Sequence, residues 1–180
     1  MSSNKWVFVD KPKNNIRLSI ENLITKCSKE KGSENAYDMI FPGLWLGNLI
    51  IATDTKFIFN NNIQSIINVS KETYIKLPNI SYHDIPMQDI EVCENKDYLT
   101  DMLETVHILH DNIINKKNVL VHCKRGHHRS ASIIVLYLII YNKMSLYDAI
   151  YFIKTRRPTT MRRFTCMLNI LIEISDEYSI

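Results

Sequence analysis

Val119-Leu-Val-His-Cys-Lys-Arg-Gly-His-His-Arg-Ser130 decides the fold of this chain. Val119–Val121 is an uninterrupted apolar run with two β-branched residues, which predicts a strand buried on both faces. Ala131–Tyr141 is apolar nearly all round, which predicts a helix buried in a core. A loop with five residues between Cys123 and Arg129 joins them. Strand, tight loop and helix N-terminus form a place where backbone N–H groups converge on an anion. Here that place has a thiol at one end and a guanidinium at the other.

Working outward, the rest of the chain reads as alternating strands and helices. Met39–Leu46 holds Pro42-Gly43 between two apolar triplets, a hairpin turn signal. Thr53–Asn61 reads as a short helix, and Gln64–Val69 and Ile80–Ile85 as strands. Pro86–Asn95 is a loop with three acids, Asp89, Glu91 and Glu94. Leu99, Met102, Leu103, Val106, Leu109 and Ile113 mark one face of a long helix, and Lys116-Lys117 at its end suits the helix dipole. Ser145-Leu-Tyr-Asp148 is a capping box that opens a helix terminated by Pro158. Phe164–Ile174 is a last amphipathic helix. This order predicts an α/β architecture, a central and partly parallel sheet flanked by helices.

Two regions are expected: an N-terminal extension over residues 1–35 and a catalytic domain over residues 36–180. Within the extension Ile16–Lys29 places Ile16, Ile20, Leu23, Ile24 and Cys27 at helical spacing. That helix could dock on its own domain or on a second copy. Lys29–Asn35 reads as a linker.

At 180 residues, with 46% hydrophobic and 23% charged residues, the chain has the makeup of an ordinary globular domain. The net charge of +3 does not by itself argue for nucleic acid. Every apolar run is interrupted before it reaches membrane-spanning length, and no signal peptide or lipidation motif is seen. The four cysteines, Cys27, Cys93, Cys123 and Cys166, contain no CxxC pair. A reducing, cytoplasmic compartment with free thiols is the expectation.

The loop chemistry follows from its residue types. The thiolate, not the thiol, is the nucleophile, and helix N-termini, converging N–H groups and cations lower a cysteine pKa to between about 3.5 and 7.5. Cys123 has all three at hand, with Arg129 and Lys124 as neighbouring cations and His122 as a third candidate. Arg129 offers a planar fork for two phosphate oxygens. Gly126 lets the loop turn where a side chain would block its amides. Ser130 can donate its hydroxyl to the sulfur and ease its departure. Attack on phosphorus would leave a cysteinyl-phosphate for water to hydrolyse, with no metal or other cofactor required. Rival readings are a buried structural thiol and a zinc site on His122, Cys123, His127 and His128. The zinc site lacks a partner pair elsewhere.

His122-Cys123-x5-Arg129-Ser130 resembles the signature loop of the cysteine-dependent protein phosphatases. Leu44-Trp-Leu-Gly-Asn48, Ile66-Ile-Asn-Val69, Ile85-Pro-Met-Gln-Asp89, Ala131–Ile139 and Ser145–Pro158 resemble successive segments of the dual-specificity group. The likeness runs in order over about residues 38–175. It implies the compact dual-specificity phosphatase fold and a shallow pocket that admits phosphoserine and phosphothreonine as well as phosphotyrosine. It selects Asp89 as the general acid, which protonates the leaving oxygen and later acts as base on water. Glu91 and Asp84 are rivals by proximity alone.

The loop departs from the family's common pattern. Lys124, Arg125, His127 and His128 stand where small or apolar residues are usual, and Arg162-Arg163 where many relatives have Pro-Asn. Either these side chains point into solvent, or they make a positive mouth for a ligand with several phosphates. Arg156 and Arg157 either reach a second phosphate or are solvated at a helix end.

The expected function is hydrolysis of phosphoprotein substrates. The alternative is the same chemistry on an RNA 5′-triphosphate, an inositol phosphate or a phosphoinositide. A third possibility is a phosphoprotein-binding module without turnover. The resemblance also leaves open a homodimer through the N-terminal helix, as in some small viral relatives. Cys93 lies near the acid loop in sequence; ordinary packing is its expected role, and resolving an oxidised Cys123 by disulfide formation is the alternative.

Overall fold

The computed structural model describes residues 14–28, 35–89, 97–162 and 166–178. Its elements run α1 (Asn14–Ser28), β1 (Tyr37–Phe41), β2 (Leu44–Gly47), α2 (Leu49–Ala52), α3 (Thr55–Asn60), β3 (Ile63–Asn68), β4 (Ser81–Asp84), α4 (Asp97–Ile114), β5 (Asn118–His122), α5 (Arg129–Ile140), α6 (Leu146–Arg156) and α7 (Cys166–Tyr178). The five strands form one sheet in the order β1-β2-β5-β3-β4. Pro42 and Gly43 turn β1 antiparallel onto β2, and all other pairings are parallel. This is the expected partly parallel α/β sheet.

β5 occupies the centre, between β2 and β3. Its side chains alternate between two apolar layers. Val119 and Val121 face the larger layer with Leu44, Leu46 and Ile67. Leu120 faces the smaller one with Trp45, Phe57, Ile63 and Ile66. The larger layer is built on α5, all twelve of whose residues are buried, with α4, α6 and α7 packed around it. Each fully buried aliphatic side chain here contributes about 1.5–3 kcal/mol of transfer free energy. α5 is thereby held rigidly against the sheet, and its N-terminus stands beyond the C-terminal end of β5. In open α/β sheets ligands bind in that crevice.

Several local expectations shift. The short helix expected over Thr53–Asn61 is α3, capped by Asp54 through Phe57 N (3.1 Å), and a further short helix, α2, precedes it, capped by Asn48 through Ile51 N (3.2 Å). Lys116 and Lys117 lie past the end of α4, in a turn where Lys116 has φ +57°. Their N–H groups satisfy the carbonyls of Ile113 and Asn112, so their place is set by backbone geometry. The Ser145 capping box forms, with Asp148 N donating to Ser145 Oγ at 3.1 Å and the hydroxyl donating to the Asp148 carboxylate.

The amphipathic face of α1 is used on its own domain. Ile20, Leu23 and Ile24 are buried in the larger layer, while Ile16 and Leu18 are exposed. No helix among the described residues is long and apolar enough to cross a membrane. Glu91, Cys93, Glu94, Arg163 and most of the linker lie outside the described residues.

Candidate active site

The loop after β5 is shaped by where its carbonyls go. Leu49 N donates to Lys124 O at 3.3 Å. Arg157 Nε donates to Gly126 O at 2.9 Å. Met161 N donates to His127 O at 2.8 Å. Three carbonyls are thus tied outward, to α2, to the end of α6 and to the turn after it. A trans peptide points its N–H opposite its C=O. The same tethers therefore turn the N–H groups of Arg125, His127 and His128 to the inner side. On that side Gly126 N already donates to Cys123 Sγ at 3.2 Å. Convergent amides at the end of a strand form an anion nest. His128, the residue before α5, makes no side-chain cap bond, so the helix end adds its amides to the nest.

Gly126 has φ +69° and passes so near β2 that a Cβ would lie 2.5 Å from Gly47 O. Only glycine fits both the backbone angle and the approach.

Cys123 is buried, 2% exposed, at the start of the loop. Burial alone pushes its thiol pKa up. The Ser130 hydroxyl (3.3 Å), the Ser130 N–H, the Arg129 charge and Gly126 N–H more than offset this, and the net pKa lies below the ordinary thiol value. The thiolate form is therefore present at lower pH than in a free cysteine. Removing Ser130 Oγ deletes the leading stabiliser of the anion. Ser130→Ala is expected to move the acid limb of the kcat/KM–pH profile upward. It is also expected to slow turnover of an aryl phosphate about 10-fold. Stopped-flow kinetics across pH check both, and an unmoved limb would remove Ser130 from the thiolate's support.

His122 does not act as a neighbouring cation. Burial holds its pKa down at about 4, with smaller opposing contributions from the Cys123 backbone and Asp84. Its ring is neutral at physiological pH, with Nε2 against the Tyr74 hydroxyl at 2.7 Å. Tyr74 is itself held protonated, first by burial and then by the Asp84 charge.

Arg129 opens α5 and is 8% exposed. Nη1 donates to Met87 O at 3.2 Å, while its buried Nε has no hydrogen-bond partner. A buried guanidinium N–H left unsatisfied beside a thiol and a nest of amides is a place for an oxyanion.

The Met87 contact ties the acid-bearing loop to the signature loop. Gln88 N donates to the Tyr98 hydroxyl at 3.1 Å, and Asp89 follows, exposed to solvent. Asp84 is a weaker candidate for a proton donor. Burial pushes its carboxyl up, but hydrogen bonds from Lys76 and Asn68 (3.0 Å) outweigh this and keep it ionised.

The basic loop side chains differ in burial. Lys124 is exposed and pairs with Glu72 at 3.0 Å. Arg125 is exposed, His127 is half-buried and His128 is buried. Arg156 lies on the surface over the Phe152 ring, and Arg162 is exposed. Arg157 is neither solvated nor aimed at a second phosphate. It is 1% exposed and bonded to Gly126 O, Asn35 O and the Asp38 carboxylate. Helical phase could have shown this, because Leu146, Ala149, Ile150, Ile153 and Arg157 share one stripe and Arg156 lies off it. Tyr74 and Asp38 carried no such signal. Among the described residues no group of three or more His, Cys, Asp or Glu is placed to hold a metal.

Comparison with known proteins agrees with this geometry. The family model described as dual specificity phosphatase, catalytic domain, matches residues 44–175. Dual specificity protein phosphatase 21 of Homo sapiens is 31% identical over 124 residues, covering 68% of this chain and 64% of the relative. Dual specificity protein phosphatase 15 of Mus musculus is 32% identical over 124 residues, covering 69% and 52%. The chain thus spans between half and two-thirds of the length of these relatives. The crystal structure of DUSP15 superposes with a TM-score of 0.70 at 27% identity, covering 79% of this chain and 89% of that one. The strand-loop-helix site and the matching run of sequence around it place the chain in the dual specificity phosphatase catalytic-domain family.

Proposed function

We propose that this protein hydrolyses phosphotyrosine and phosphoserine or phosphothreonine in phosphoprotein substrates, through a phosphocysteine on Cys123. The observation that carries this is the Cys123 sulfur. It receives hydrogen bonds from Gly126 N and Ser130 Oγ, inside a loop whose other amides turn inward beside the unpartnered Nε of Arg129. In the first step the thiolate attacks phosphorus in line. The P–O bond to the leaving group breaks, and Asp89 gives its proton to the departing oxygen. Arg129 and the loop amides hold the equatorial oxygens as charge spreads over them. In the second step the Asp89 carboxylate takes a proton from water, the water oxygen attacks phosphorus, and sulfur leaves as thiolate with the Ser130 hydroxyl donating to it. The products are inorganic phosphate and the starting enzyme.

Asp89→Asn tests the proton donor. A neutral amide gives no proton, so turnover is expected to fall about 100-fold for a substrate with a poor leaving group and much less for an activated aryl phosphate. Equal losses on both substrates would move the role elsewhere in the loop, where Glu91 is the next acid.

Exposed Lys124 and Arg125 at the loop favour a second reading, the same chemistry on an RNA 5′-triphosphate, an inositol phosphate or a phosphoinositide. A panel at fixed ionic strength decides between them. Phosphotyrosyl and phosphothreonyl peptides are expected to give higher kcat/KM than any of the three polyphosphates. The reverse order would replace the first reading by the second. Binding of phosphopeptide with no phosphate release would leave a recognition module.

A further inference from the structure

The residue that ties down the middle of the catalytic loop is far from it in sequence. Arg157 closes α6 and is 1% exposed. Its Nε donates to Gly126 O at 2.9 Å, and its Nη1 donates to Asn35 O at 3.0 Å and to the Asp38 carboxylate. Asn35 Nδ2 in turn donates to Asp38 Oδ1 at 3.1 Å. One guanidinium thus joins the segment leading into β1, the end of α6 and the centre of the loop. A planar fork with fixed donors suits this three-way joint, whereas a lysine ammonium would hold one point.

We infer that Arg157, held by Asp38, is a positioning residue that sets the orientation of the Gly126–His127 peptide and so builds the anion nest. The inference rests on the phosphatase reading. Holding Gly126 O outward is what holds His127 N–H inward. The same bond keeps Gly126 beside Cys123 Sγ, to which its own N–H donates. Without the guanidinium the carbonyl loses its donor and the peptide can rotate. The loop then gives up one inward amide and loosens another. The charge on Arg157 is balanced by Asp38, so its effect on the nest is through geometry and not through added field. Misplacing a preorganised donor by about 1 Å can cost on the order of 100-fold in rate.

The buried pair also stabilises the fold, so the test separates the two effects. Breaking the pair by removing one partner leaves a buried charge uncompensated, whereas replacing both partners by neutral side chains is often neutral. Three variants are compared with the parent: Arg157→Met, Asp38→Asn and the double variant Asp38→Asn/Arg157→Met. Two readouts report the loop without requiring turnover. One is the pH dependence of Cys123 alkylation by iodoacetamide, and the other is protection from alkylation by inorganic phosphate. A thermal midpoint is measured for each variant.

Arg157→Met is expected to shift the alkylation profile to higher pH and to weaken phosphate protection about 10-fold or more. The double variant is expected to recover much of the thermal midpoint while its alkylation profile and phosphate protection stay impaired. Recovery of all three together would reduce the pair to a structural role and overturn the inference. An unmoved profile in folded Arg157→Met would do the same. A parent protein that phosphate does not protect would instead remove the phosphatase reading beneath it, a result distinct from an unmoved variant.

Discussion

Cys123→Ser is expected to lower turnover of an aryl phosphate by about 10⁴-fold or more while leaving the protein folded and able to bind a phosphopeptide. The reason lies in the acidity of the two groups. The loop lowers the thiol's pKa through Ser130, Arg129 and Gly126, and the same field acting on an alcohol still leaves it un-ionised at neutral pH. A serine hydroxyl is then a poor nucleophile toward phosphorus. The parts that hold the phosphate remain, namely the inward amides and the buried guanidinium of Arg129. The exchange removes no buried carbon, so a thermal midpoint close to the parent's would separate lost chemistry from lost folding. Retained turnover in the serine variant, assayed after removal of any contaminating phosphatase, would sink the phosphocysteine mechanism.

Gly126→Ala is the second large effect. Two costs act on one atom. The backbone sits at φ +69°, where a side chain costs roughly 1–2 kcal/mol. The new Cβ would also lie 2.5 Å from Gly47 O and 2.7 Å from Gly47 C. Both are backbone atoms of β2, a strand paired along its length with β1 and β5, so the loop must give way. As it moves, Gly126 N leaves Cys123 Sγ and Gly126 O leaves Arg157 Nε. The expected result is a fall in kcat/KM of about 10²–10³, with a lower urea midpoint in the same protein. Unchanged kinetics would mean that the loop does not need its present shape to work.

The heart of the fold was legible because its signals are contiguous. The apolar run of β5, the loop with its glycine, and the apolar run of α5 follow one another without a gap, and Pro42-Gly43 announced the β1–β2 hairpin. Boundaries governed by capping side chains were also written in the chain. Asp54 caps the start of α3 inside the expected Thr53–Asn61, and Asn48 caps the short α2 that apolar spacing alone hid. The frame of the site was harder to see. Two of the three donors that tie the loop outward are the backbone N–H groups of Leu49 and Met161, and a backbone N–H leaves no trace in residue type. The third, Arg157, was visible only through helix phase. Whether His122 carries a charge could not be read from the chain, because its burial depends on the strands around it, which place its ring against Tyr74. Lys124 and Arg125 are both exposed, and the counter-ion that Lys124 finds in Glu72, far from it in sequence, left no local signal.

The tethers on the loop also impose an order in time. Cys123 and Arg129 are made well before Arg157 and Met161, and synthesis at roughly 5–20 residues per second separates them by a few seconds. During that interval the growing chain carries Cys123 and Arg129 without the donors of Arg157 and Met161 that turn the loop amides inward. The bonds to Gly126 O and His127 O can therefore form only once α6 and the turn after it have been added to the chain.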